Sequence, residues 1–123
     1  MEANNRFSGG TAMRTDAVSS KEEVVAILRR QMPFLRQRYG VERIALYGSF
    51  ARGKPTRRSD VDLLVELSRP LGLEFVALAE HMEAALGRKV DLATFKSLQR
   101  SLQDPRHRRI ALRIQETLTD VQA

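Results

Sequence analysis

Cysteine is absent from the 123 residues, and so is tryptophan. Without thiols there are no disulfides and no thiolate metal sites, and two histidines are too few for a nitrogen-rich metal centre. Any metal is therefore expected on oxygen. No apolar run approaches the roughly 20 residues that span a bilayer, and the N-terminus lacks the apolar stretch of a secretory signal. A cytoplasmic protein with no membrane association is the expectation. Aromatic residues are only 6% of the chain, which leaves little for stacking on nucleic-acid bases. What remains is 42% hydrophobic and 29% charged, the composition of a single globular domain. Its formal charge of +6 favours anionic partners, although sign alone does not choose among nucleotides, nucleic acid and acidic protein.

Residues 1–18 mix Asn, Ser, Gly and Thr without periodicity and read as a flexible leader, with the folded domain over 19–123. Ser20 and Glu23 have the spacing of a reciprocal capping box, so a helix starts there. Val24, Ile27, Leu28, Leu35 and Tyr39 continue it to Gly40, with a kink or break expected near Gln31 because of Pro33. Arg43 to Tyr47 is a short buried strand leading into Gly48-Ser49, and Phe50 to Gly53 is one helical turn. A polar loop, Lys54 to Ser59, then runs into a second strand, Val61 to Leu67. Leu73, Val76, Ala79, Met82 and Leu86 outline an amphipathic helix closed by Gly87. A third strand covers Lys89 to Phe95. Asp104-Pro105 reads as the cap and first turn of a closing helix carrying Ile110, Ile114 and Leu118.

The chemistry concentrates between the first two strands. Asp60 and Asp62 are two apart, so a strand turns both carboxylates to one face. Two anions so close repel unless a hard divalent cation such as Mg²⁺, which prefers oxygen ligands, lies between them. Gly48 and Ser49 sit at a strand end where backbone can approach phosphate closely, and Arg52 and Lys54 are candidates to offset phosphate charge. Arg57 and Arg58 are weaker candidates. Asp91, flanked by Val90 and Leu92, is the natural third acid, either as a metal ligand or as the group that activates an attacking hydroxyl. Nucleotidyl transfer requires such an arrangement, because charge gathers on the departing pyrophosphate while the α-phosphate is attacked.

At Leu46-Tyr47-Gly48-Ser49-Phe50-Ala51-Arg52-Gly53, Ser59-Asp60-Val61-Asp62-Leu63-Leu64-Val65 and Gly87-Arg88-Lys89-Val90-Asp91-Leu92, the chain resembles the minimal nucleotidyltransferases. These compact members of the DNA polymerase beta-like superfamily include the MNT antitoxins of MNT–HEPN toxin–antitoxin systems. The resemblance spans about residues 20 to 115 and departs from a common form at Tyr47, where many members carry phenylalanine. It implies an α/β fold of the α+β type, a small mixed sheet flanked by helices in one domain. It also implies a nucleoside triphosphate on Gly48 and Ser49, and Mg²⁺ around Asp60, Asp62 and Asp91. For the antitoxins it implies AMPylation, in which AMP passes from ATP to a tyrosine of a HEPN ribonuclease toxin and silences it.

Two other readings stay open: transfer to a small molecule or RNA end, and an antitoxin that only binds its partner. The first of these usually needs a second domain, for which the chain has no room. Ile110, Leu112, Ile114 and Leu118 are candidates for a partner interface or for core. The basic segment 100–113 lacks interleaved aromatics, which argues against direct nucleic-acid binding. His81 and His107 read as structural or exposed.

Overall fold

A computed structural model describes residues 17–121. These residues form five helices and four strands in the order α1 (Lys21–Tyr39), β1 (Val41–Tyr47), α2 (Gly48–Ala51), β2 (Val61–Leu67), α3 (Glu74–Leu86), β3 (Val90–Thr94), α4 (Phe95–Gln103), α5 (Arg108–Thr117) and β4 (Thr119–Asp120). The sheet order is β3-β2-β1-β4. β1 runs antiparallel to β2 and β4, whereas β2 and β3 are parallel and joined through α3. This is the mixed sheet flanked by helices that the sequence implied.

Helix α1 starts at Ser20, whose hydroxyl accepts the Glu23 N–H at 3.1 Å. The return half of the capping box is displaced by one residue, because the Glu23 carboxylate takes the Ser19 N–H at 2.7 Å and the Ser19 hydroxyl at 3.1 Å. Pro33 does not end the helix. Buried contacts of Leu28, Met32, Leu35 and Tyr39 on either side of it outweigh one lost backbone bond. Gly40, in the left-handed conformation at φ 72°, closes α1 and donates to the Arg36 carbonyl at 3.0 Å.

Several sequence expectations shift. The single turn after β1 begins at Gly48 rather than Phe50. In α3 the buried stripe is Leu78, Met82 and Leu86, while Leu73 is 90% exposed and Val76 57%. Leu73 precedes the helix, and Val76 in its first turn is turned to solvent while Phe75 and Ala77 pack against the core. Asp104 ends α4 instead of capping α5. Its carboxylate is engaged by the Arg106 N–H at 3.0 Å and by His107 Nδ1 at 2.9 Å, so α5 begins only at Arg108. Residues 1–16 of the expected leader lie outside the described residues. The last residue of that expected leader, Val18, instead belongs to the core: it is fully buried and its N–H donates to the Leu86 carbonyl at 3.0 Å.

The sheet separates two apolar clusters. Ile44, Leu46, Leu63 and Val65 face α1 and α3 in the larger one, with Leu28, Leu35, Leu78 and Met82. On the opposite face Leu64 packs with Leu98 of α4 and Ala111 of α5. Leu63 has no exposed surface in the central pair of strands. Leu63→Ala should accordingly cost about 2–5 kcal/mol in urea unfolding, by lost burial and a residual cavity.

Candidate nucleotidyl-transfer site

Strand register assembles the candidate residues. Tyr47 pairs with Asp62, and Asp62 pairs with Asp91, so the three form one row across β1, β2 and β3. Directly opposite residues share a face, and this row therefore lies on the α4–α5 side of the sheet. The next row on that face is Ala45, Leu64 and Ala93. A cavity of about 160 Å³ opens there, floored by Tyr47, Leu64 and Ala93 and walled by Ser97 and Ser101 of α4 and Ile110 and Ile114 of α5. Ile110 is 63% exposed at its rim and Leu112 is 42% exposed, whereas Ile114 and Leu118 pack against the smaller cluster. The four interface candidates thus divide into two exposed and two core residues.

Asp60 lies just outside β2 and is exposed, as is Asp91. Asp62 is half-buried. Burial first, and then the charges of Asp91 and Asp60, push its carboxyl up to about 6, against a smaller opposing pull from Arg52. Asp60 and Asp91 therefore both act electrostatically on Asp62, and Arg52 is within reach of the same carboxylate. Tyr47 is pushed up to about 12 by burial, then by Asp91 and Asp62, and stays a neutral phenol.

Among the described residues, no three His, Asp or Glu side chains gather into a ready-made metal cage. The donor chemistry nevertheless suits Mg²⁺, which binds through one or two carboxylates together with substrate phosphates and retained waters. The burial of Asp62 and its repulsion by Asp91 and Asp60, which Arg52 only partly offsets, are what a divalent cation would relieve.

Gly48 has a role beyond the one its sequence suggested. Its φ is 75°, and a Cβ at this position would run into the Asp62 carboxylate. The missing side chain makes room for the acid as well as for any ligand. The Gly48 N–H donates to Thr117 Oγ1 at 3.4 Å, which ties the turn to the end of α5. Ser49 is half-buried, and its carbonyl accepts the Lys54 N–H at 2.9 Å. The Arg52 and Lys54 side chains are exposed.

Two contributors escaped the sequence reading. Thr117 carries no motif. Arg88 belongs to the stretch that carries the family resemblance but has no role there, yet its guanidinium contacts three carbonyls of the 54–59 loop. No local pattern reveals either contact, since both join residues far apart in the chain.

The nucleotidyltransferase domain family matches residues 28–114. Protein adenylyltransferase MntA of Thermococcus cleftensis is 42% identical over 84 residues, covering 68% of this chain and 85% of that protein. A candidate protein adenylyltransferase of Methanocaldococcus jannaschii is 44% identical over 79 residues, 62% of this chain and 79% of the other. Among solved structures, a candidate minimal nucleotidyltransferase is 31% identical with a TM-score of 0.59, covering 80% of this chain and 96% of that one. A toxin–antitoxin solved with AMP-PNP has the same fold at 21% identity and a TM-score of 0.55, covering 84% and 73%. With the fold, the row of acids and these relatives together, the chain belongs to the nucleotidyltransferase domain family, in its minimal form.

Proposed function

We propose that this chain transfers AMP from ATP to a tyrosine of a HEPN-family toxin and so acts as its antitoxin. The observation that carries the reading is the cross-strand row of Asp62 and Asp91, with Asp60 at its edge, beside the turn at Gly48 and Ser49. Identity of 42% to a protein adenylyltransferase across most of that protein's length supports a protein acceptor.

In this reading Gly48 and Ser49 hold the triphosphate, and Arg52 and Lys54 offset its β- and γ-phosphate charge. Asp60, Asp62 and Asp91 would hold Mg²⁺, which when bound would supply positive charge to the phosphates. The acceptor's phenolic oxygen forms its bond to the α-phosphorus as the bond from that phosphorus to the pyrophosphate oxygen breaks. Asp91 takes the phenolic proton, and pyrophosphate leaves with the bonding electrons. Half-burial of Asp62 removes water from one side of the acids, which strengthens their hold on a cation.

A search of the adjacent genes for a HEPN-like protein, followed by incubation of that protein with this chain, α-labelled ATP and Mg²⁺, tests the proposal. Label should appear on a tyrosine of that protein and vanish with EDTA or in the Asp60→Asn, Asp62→Asn double variant. Neutralisation of the toxin by the double variant, with no AMP on the toxin, would leave an antitoxin that acts by binding alone. Transfer to an RNA end or a small molecule in place of the toxin would replace the acceptor.

A further inference from the structure

We infer that Arg88 is a positioning residue, which holds the basic loop 54–59 against the sheet so that Asp60 and the loop cations are in place before nucleotide binds. The inference rests on the proposed nucleotide site and concerns how that site is kept in shape.

Arg88 stands at the joint between α3 and β3, three residues before Asp91. Its Nη1 donates to the carbonyls of Thr56 at 3.0 Å, Arg57 at 3.1 Å and Ser59 at 3.0 Å. Its Nε donates to the Val18 carbonyl at 2.7 Å. The guanidinium also lies 5.2 Å from the centre of the Phe50 ring, in the turn that follows Gly48. One half-buried cation thus ties together the start of the described chain, the turn after β1, the loop and the entrance to β3.

Apart from the Lys54 N–H, which holds the start of the loop to the Ser49 carbonyl at 2.9 Å, the other bonds described within this loop are local. Thr56 and Ser59 bond each other through the Thr56 N–H to Ser59 Oγ at 2.8 Å and the Ser59 N–H to the Thr56 carbonyl at 3.2 Å. The Arg58 N–H reaches Thr56 Oγ1 at 3.2 Å. These fix the shape of the turn without fastening it to the sheet. Arg52, Lys54, Arg57 and Arg58 are all exposed, and four like charges so near one another favour an extended, mobile loop. Three carbonyl dipoles converging on a cation oppose that repulsion. A planar fork with five donors suits several acceptors at once, and an apolar side chain of similar length supplies none. The Ser59 carbonyl belongs to the peptide that enters Asp60, so the hold on the loop fixes the backbone from which that carboxylate projects.

The loop carries its own reporter, because trypsin cuts after Arg57 and Arg58 only when that backbone is free to enter the protease. Arg88→Met and Arg88→Lys, each in the full chain, would be compared with the wild type. Cleavage at those two bonds would be followed by mass spectrometry, and affinity for Mg²⁺ with a non-hydrolysable ATP analogue by calorimetry. Arg88→Met is expected to speed cleavage at 57 and 58 by about tenfold and weaken analogue binding by about tenfold. Arg88→Lys, which keeps the charge and can still reach some carbonyls, should recover part of both losses.

Unchanged loop cleavage in both variants would overturn the inference, as would unchanged analogue affinity with a loop that has opened. Cleavage spread along the whole chain in both variants, with melting points falling together, would make Arg88 a general fold contact and also overturn it. If the wild type bound no analogue, the nucleotide reading would fall, while loop cleavage would still decide whether Arg88 holds the loop.

Discussion

Asp62→Asn should yield a protein that transfers no detectable AMP yet unfolds at a higher temperature than the wild type. Removing one acid from the row takes away a proposed cation ligand, and losses of about 10²–10⁴ in rate are typical for groups that stabilise charge in the transition state. Stability moves the other way. The folded protein raises the Asp62 carboxyl from an ordinary 3.8 to about 6, so the folded state binds its proton more tightly than the unfolded state does. Stability is therefore greatest below the unfolded value, falls as pH rises from about 4 to about 6, and is flat beyond. An amide carries no charge to repel. With the full shift discounted for a side chain that remains partly in water, relief at pH 7.5 is about 1 kcal/mol, or roughly 3–6 °C.

Melting curves at pH 7.5 and pH 4, without divalent ions, check the sign. The variant should gain over the wild type at the higher pH and show little difference at the lower. Added Mg²⁺ with an ATP analogue should stabilise the wild type and not the variant. Equal melting points at both pH values would show that the acids do not repel one another as described.

Gly48→Ala is expected to be nearly as severe for transfer, and unlike Asp62→Asn it should destabilise the fold. The position needs φ 75°, which costs an L-residue about 1–2 kcal/mol before any collision. The added methyl then meets the Asp62 carboxylate, which must rotate away or push the turn off the sheet. Either movement separates Asp62 from its cross-strand neighbour Asp91. A fall of at least about tenfold in transfer and a loss of 2 kcal/mol or so in urea unfolding are the expected results. Activity within twofold of the wild type would mean that the close approach at Gly48 is unimportant to the acids.

Local signals in the sequence were read well where local forces decide. Ser20 opening α1, Gly40 and Gly87 closing helices, and the span of β2 all depend on residues within a few positions of one another. Features set by distant partners were not. β4 is two residues long, too short for alternation to show, and it exists because β1 offers Ala45 and Leu46 to pair with. Val18 looks like leader by composition but is buried because Leu86 and Arg88 meet its backbone. Asp104-Pro105 carries the pattern of a helix start, yet Arg106 and His107 compete for the carboxylate and use it in a turn.

The candidate site divides in the same way. The spacing of Asp60 and Asp62 suggested a shared face without reference to any other strand. That Asp91 stands in register with Asp62, rather than one residue off and on the opposite face, is decided by β2–β3 pairing. The collision that forbids a side chain at Gly48 likewise belongs to three-dimensional contact, as does the grip of Arg88 on the loop.

Placing the acids on the face with the smaller apolar cluster has a consequence for how such a chain can change. Leu28, Leu35, Ile44, Leu63, Leu78 and Met82 hold the fold from the other side of the sheet, while among the described residues the cluster under α4 and α5 has just three buried members, Leu64, Leu98 and Ala111. Substitutions at Ser97, Ser101 or Ile110 reshape the wall of the groove beside the acids without disturbing the side chains that supply most of the burial. Descendants can therefore alter what approaches the candidate site while drawing little on the stability of the domain, and the sheet acts as a partition between inherited architecture and adjustable specificity.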